Sequence, residues 1–169
     1  MDFGLILVKY GLERILYRLS RSAHREVFIL KGALLFELWT DQRYRPTRDA
    51  DFLASGDNSS DRFAQIFREL CAMETEPDGL RFDSESVIGE RISENADYEG
   101  VRVTFAAYLE RAKIPIQIDI GFGDAITPAP ATILGRHLGK NPTSLARPYA
   151  TKSTRKKCRQ PYARNSRNL

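Results

Sequence analysis

Cysteine, histidine and tryptophan are scarce in this 169-residue chain, which holds two, two and one of them respectively. Cys71 and Cys158 fall in different regions. They offer neither a disulfide framework nor a metal cage, and such sparse cysteine fits a reducing cytosol. His24 has no Asp or Cys close to it in sequence, and no Ser–His–Asp or Cys–His arrangement is apparent. A covalent hydrolase therefore has no support. Long apolar runs are missing as well: none approaches the roughly 20 residues of a membrane helix. The opening Met1 to Lys9 lacks a positive leader, and its apolar run is too short for a signal peptide. These absences predict a cytoplasmic protein with no membrane association.

Acidic residues are missing from one end only. Residues 1–128 carry 16 Lys and Arg against all 22 Asp and Glu, a net −6, whereas residues 129–169 carry 10 Lys and Arg and no acid. The overall +4 thus hides an acidic body and a basic tail. The body has the length of one ordinary domain of about 100–150 residues. The tail is rich in Pro, Ser, Thr, Asn, Arg and Lys, lacks Phe and Trp, and shows no sustained period. Such a segment buries too little apolar surface to offset its ordering entropy, so low order is expected across 129–169.

Within the body, Phe3, Ile6, Leu7, Tyr10, Leu12, Ile15, Leu16 and Leu19 repeat at helical spacing. They predict one amphipathic helix over about residues 2–20, loosened at Gly11. Val27 to Leu30 reads as a short strand buried on both faces. Lys31-Gly32 ends it, and Ala33 to Trp39 reads as a helix with Leu35, Phe36 and Trp39 in the core. Asp49 to Leu53 makes a second strand. Ser59-Ser60-Asp61 looks like a cap for a helix burying Phe63, Ile66, Phe67 and Leu70. Strand signals follow at Leu80–Phe82, Val87–Ile92 and Val101–Phe105, with a hairpin connection between the last two. Ile114 to Ile120 is the clearest strand, with four isoleucines on one face and Gln117 and Asp119 on the other.

Asp49 and Asp51 stand one residue apart where Arg45-Pro46-Thr47-Arg48 enters the second strand. Residues i and i+2 of a strand share a face, so the two carboxylates stand side by side. They repel unless a cation lies between them. Magnesium takes oxygen ligands and is usually held by one or two carboxylates plus substrate phosphates. A solvated turn ending in Asp is also compatible with these residues.

Phe28-Ile29-Leu30-Lys31-Gly32, Arg45-Pro46-Thr47-Arg48-Asp49-Ala50-Asp51-Phe52 and Ile118-Asp119-Ile120-Gly121-Phe122-Gly123-Asp124 resemble, in this order, motifs of the polymerase β-type nucleotidyltransferase superfamily. Tyr98 to Val103 is similar too. More closely, the chain resembles the AbiEii/AbiGii toxins of bacterial toxin–antitoxin and phage-resistance systems, across about residues 5–130. The resemblance implies an α/β (α+β) nucleotidyltransferase fold, a mixed sheet flanked by helices. It further implies transfer of a nucleoside monophosphate from an NTP, with Mg2+, to a tRNA, another RNA or a protein acceptor, and it implies a cognate antitoxin. Metal would be held by Asp49, Asp51 and Asp119, which would also be the catalytic residues. Two metals about 3.5–4 Å apart can clamp both oxygens of an in-line phosphoryl displacement.

Lys31, Gly32, Arg45 and Thr47 would serve the nucleotide. Gly32 either leaves backbone N–H groups free for phosphate or merely makes a tight turn. Lys31 and Arg45 either neutralise the triphosphate or are solvated, and Thr47 either orients a ligand carboxylate or caps the strand entry. The family commonly places another Gly, then Ser or Thr, after this glycine; here Ala33 and Leu34 stand there.

Two domains are thus expected, a transferase body over 1–128 and a basic tail over 129–169. The family's helical second half, with a further lysine and aspartate, has no counterpart here. The expectation is a truncated or out-of-frame tail and an inactive remnant, or alternatively a basic arm, Lys152 to Arg159 above all, that grips RNA.

Overall fold

The computed structural model describes residues 2–39, 47–95, 98–123, 133–135 and 143–145. Helix α1 (Phe3–Arg21) starts where the Asp2 carboxylate accepts a hydrogen bond from the Gly4 N–H at 3.0 Å. It runs unbroken through Gly11, contrary to the expected loosening. A Cβ at Gly11 would lie 2.6 Å from Ile116 Cδ1, so the missing side chain is what lets the helix approach the sheet.

Strand β1 (Phe28–Lys31) leads into helix α2 (Gly32–Trp39), followed by β2 (Asp49–Ala54) and helix α3 (Ser60–Ala72). Ser59 caps α3, its hydroxyl accepting from the Arg62 N–H. The long strands β3 (Leu80–Asn95), β4 (Tyr98–Leu109) and β5 (Ala112–Gly121) complete a five-stranded sheet in the order β1-β2-β5-β4-β3. Among the described strands only β2 and β5 pair in parallel. The architecture is therefore mixed α+β, as expected.

Helices α1 and α3 cover one face of this sheet. Gly11 of α1 meets Ile114 and Ile116, while Ser60 and Ala64 of α3 meet Gly89, where a Cβ would lie 2.6 Å from a backbone oxygen. The core between them holds Leu12, Leu16, Phe52, Phe63, Phe67, Val103 and all four isoleucines of β5. The Phe28 ring meets those of Phe52, Phe63 and Phe67 edge-on at 5.4–5.9 Å. β1 is not buried on both faces: Phe28 and Leu30 are buried, whereas Ile29 and Lys31 are half-exposed, because they point to the sheet face that α1 and α3 leave uncovered. Leu35 is buried as expected; the side chains of Phe36 and Trp39 lie outside the description.

The two strand signals at 80–82 and 87–92 merge into one strand through a bulge between Asp83 and Ile88. Ser86 holds that bulge, its hydroxyl donating to the Asp83 carbonyl at 2.7 Å and accepting from the Ala106 N–H at 2.9 Å. Short strands β6 (Ile133–Gly135) and β7 (Thr143–Leu145) pair antiparallel inside the segment whose composition predicted low order. Three-residue strands are too short to show a period. The rest of 129–169 lies outside the described residues. No described helix is long and apolar enough to cross a membrane.

Asp78 ties α1 to the segment entering β3. Its carboxylate accepts from Arg14 Nε at 2.7 Å, Arg18 Nη1 at 3.1 Å and the Leu80 N–H at 2.9 Å, and Tyr10 donates to its carbonyl at 2.7 Å. Burial pushes the Asp78 pKa up, but the Arg14, Leu80 and Arg18 contacts outweigh it and hold the group below the ordinary 3.8. A depressed carboxylate contributes stability above its unfolded pKa and loses it as pH falls through the folded value. The melting temperature of the wild type is expected to fall more steeply below about pH 4 than that of Asp78→Asn, in thermal denaturation from pH 7 to 2.5.

Candidate active site

The sheet face opposite α1 and α3 carries the polar residues of the central strands. Cross-strand partners share a face, and the register makes one row across all five strands: Lys31 on β1, Asp51 on β2, Asp119 on β5, Arg102 on β4 and Glu90 on β3. Asp49 and its partner Gln117 lie two residues back on β2 and β5, and so on the same face. The two segments that carry aspartates are thus neighbours, with Asp51 and Asp119 directly opposite. The isoleucines of β5 explain the placement: by occupying the core face they leave Gln117 and Asp119 to the other.

Each carboxylate is set by a different neighbour. The Thr47 hydroxyl lies within hydrogen-bond reach of both Asp49 Oδ1 and, at 3.3 Å, the Asp49 carbonyl, so its contacts are compatible with both expected roles, orienting the carboxylate and capping the strand entry. Asp51 lies against Gly32. Gly32 has a φ of +75°, and a Cβ there would sit 1.9 Å from Asp51 Oδ2. The glycine thus serves the turn into α2 and clears space for Asp51 together.

Asp119 is held by a planar fork: Arg102 Nε donates to Oδ1 and Nη2 to Oδ2, both at 2.8 Å. Gln117 Nε2 donates to Oδ2 at 3.3 Å. The Asp119 side chain is 17% exposed and that of Arg102 36%.

Lys31 stands beside Asp51 at the β1 edge, one residue before the helix, and is half-exposed. Arg45 and Asp124 lie outside the described residues. Arg102 is the residue to which sequence reasoning assigned no role. It sits in Val101-Arg102-Val103, where alternation marks it as facing away from the core, but only the pairing of β4 with β5 reveals its partner. His24 bonds Glu69 at 2.7 Å on the surface, and no residue of the row is its partner in that contact.

The chemistry of these donors fits magnesium. Asp49 and Asp51 are hard oxygen ligands on one rigid strand, and one or two carboxylates suffice when phosphates complete the shell. A closed three-carboxylate cage is not formed: among the described residues no group of three or more His, Cys, Asp or Glu is gathered to hold a metal ion. Asp119 has both oxygens committed to Arg102 in this arrangement.

A solved structure shares this fold. Over 89% of its length the chain superposes on JHP933 from Helicobacter pylori, with a TM-score of 0.50 at 12% identity, covering 53% of that protein. A candidate nucleotidyltransferase from H. pylori gives a TM-score of 0.49 at 12% identity, again with 89% of this chain and 55% of the other covered. The chain therefore spans about half the length of the solved structures it matches. At such identity the likeness concerns the fold. No curated protein is significantly similar to the chain. The family pattern described as nucleotidyl transferase AbiEii toxin, type IV toxin–antitoxin system, matches residues 14–151 and so crosses the compositional boundary at 128. With most of its length matched, the chain belongs to the AbiEii family of nucleotidyl transferase toxins.

Proposed function

We propose that the polar sheet face transfers a nucleoside monophosphate from an NTP to a hydroxyl of an RNA acceptor, tRNA being the first to try. The observation that carries this reading is the register pairing of Asp51 with Asp119, two residues from Asp49 on one face, in a chain of a nucleotidyl transferase family. In the reaction the acceptor hydroxyl oxygen bonds to the α-phosphorus. The bond from that phosphorus to its bridging oxygen breaks, pyrophosphate leaves with the electron pair, and the hydroxyl proton passes to a base.

The chain's own groups have separable tasks. The turn at Gly32 opens α2, whose first backbone N–H groups and dipole favour phosphate. Lys31 adds positive charge beside it. Magnesium, held by Asp49 and Asp51, would neutralise charge that develops on the phosphates. Thr47 fixes the rotamer of Asp49, and Asp119 completes the carboxylate set. The net +10 of residues 129–169 supports RNA as the acceptor class, since such charge neutralises phosphates without reading sequence. A cognate antitoxin is the partner expected of a type IV toxin.

The purified chain, total tRNA and magnesium are incubated with each of the four α-labelled NTPs in turn. At least one NTP is expected to label RNA, with the signal reduced by about 1000-fold or more in Asp49→Ala. Equal labelling by wild type and variant, or none by either, would reject the proposal.

A further inference from the structure

We propose that Arg102 is a resident counter-ion of Asp119 that must swing aside before a divalent cation can use that carboxylate. This rests on the cation site read above at Asp49 and Asp51. Three observations carry it. The fork takes both Asp119 oxygens at 2.8 Å, so a cation arriving on those oxygens meets a guanidinium at contact distance. Asp51 and Asp119 are direct cross-strand partners, and like charges so placed repel; Arg102 on the next strand offsets that repulsion. The Arg102 side chain is 36% exposed against 17% for Asp119, so of the two partners the arginine is the one nearer to solvent.

Arg102 is therefore a positioning residue with two effects of opposite sign. It stabilises the cation-free sheet face and weakens the hold of that face on a cation. A merely structural arginine would do the first and not the second. Its loss should lower the melting temperature without metal, yet tighten the binding of metal.

The test is a titration with Mn2+ alone, read by the electron paramagnetic resonance of free Mn2+, on wild type, Asp51→Asn, Arg102→Gln, Asp119→Asn and the Arg102→Gln/Asp119→Asn double variant. Arg102→Gln is expected to bind about tenfold more tightly than wild type, the scale of one like-charge contact removed near water. In the Asp119→Asn background the same substitution should change nothing. If Asp51→Asn abolishes binding but Arg102→Gln leaves affinity unchanged or weaker, the counter-ion proposal is overturned and the cation site stands. Absence of Mn2+ binding in every variant overturns both.

A second measurement needs only folded wild type. The Nε–H resonance of Arg102, assigned by its loss in Arg102→Lys, should shift as Mg2+ is added. An invariant resonance at saturating Mg2+ overturns the proposal.

Discussion

Gly32→Ala is expected to lower transfer activity by about 100-fold, the scale of an ångström-level displacement of a site group. Two costs coincide at this position. The backbone φ of +75° is strained for any residue with a Cβ, by about 1–2 kcal/mol. The new methyl would also fall 1.9 Å from Asp51 Oδ2 and 2.8 Å from its Cγ, so the carboxylate must rotate out of the row it shares with Asp119. For a chain of this length the strain alone lowers the melting temperature by about 2–8 °C. The two costs separate in the pair Gly32→Ala/Asp51→Ala, which relieves the collision but keeps the strain. Its stability should exceed the sum of the single effects, as expected of side chains in contact. A folded Gly32→Ala with full activity would show that Asp51 tolerates displacement and does not hold the ligand.

The largest effect on stability is expected at Asp78, far from the chemistry. Asp78→Ala leaves Arg14 and Arg18 facing a vacated site, with side chains only 9% and 6% exposed. Arg18 Nε is already buried with no hydrogen-bond partner, so Arg18 has little left to fall back on. Removing one member of a buried ion pair typically costs about 3–5 kcal/mol. That corresponds to a fall of roughly 6–20 °C in melting temperature for a protein of this size. The pair between His24 and Glu69 gives the contrast, since Glu69 is half-exposed and Glu69→Gln should cost less than about 1 kcal/mol. Differential scanning calorimetry of the two variants decides the matter; equal midpoints would contradict it. The position matters for function because α1, anchored by Asp78, packs behind β5, the strand that presents Asp119.

How far these features were legible in the sequence depends on how local their causes are. Helical spacing in α1 and α3, the Ser59 cap and the alternation of β5 are local, and they placed those elements within a residue or two. The i, i+2 spacing of Asp49 and Asp51 likewise fixed their common face. Gly11 misled because intrinsic propensity penalises a helical glycine, whereas contact with Ile116 makes the glycine necessary. The bulge in β3 misled because its continuity is carried by the Ser86 hydroxyl bonding to Ala106 on the next strand.

The site shows the same division. That Asp119 faces away from the core could be read from its isoleucine neighbours. That Arg102 grips it could not, because strand order is set by long-range pairing. The described pairing of β6 with β7, and a family match through residue 151, likewise draw on relations that the composition of a basic segment does not display.

The most direct test follows the fate of each phosphate. Wild type and Asp51→Asn are incubated with magnesium, tRNA and the active NTP, labelled either at the α- or at the γ-phosphate. The account predicts α-label retained on RNA by wild type, γ-label released as pyrophosphate in equal amount, and neither event with Asp51→Asn. Retention of γ-label on the acceptor, or undiminished transfer by Asp51→Asn, would contradict it.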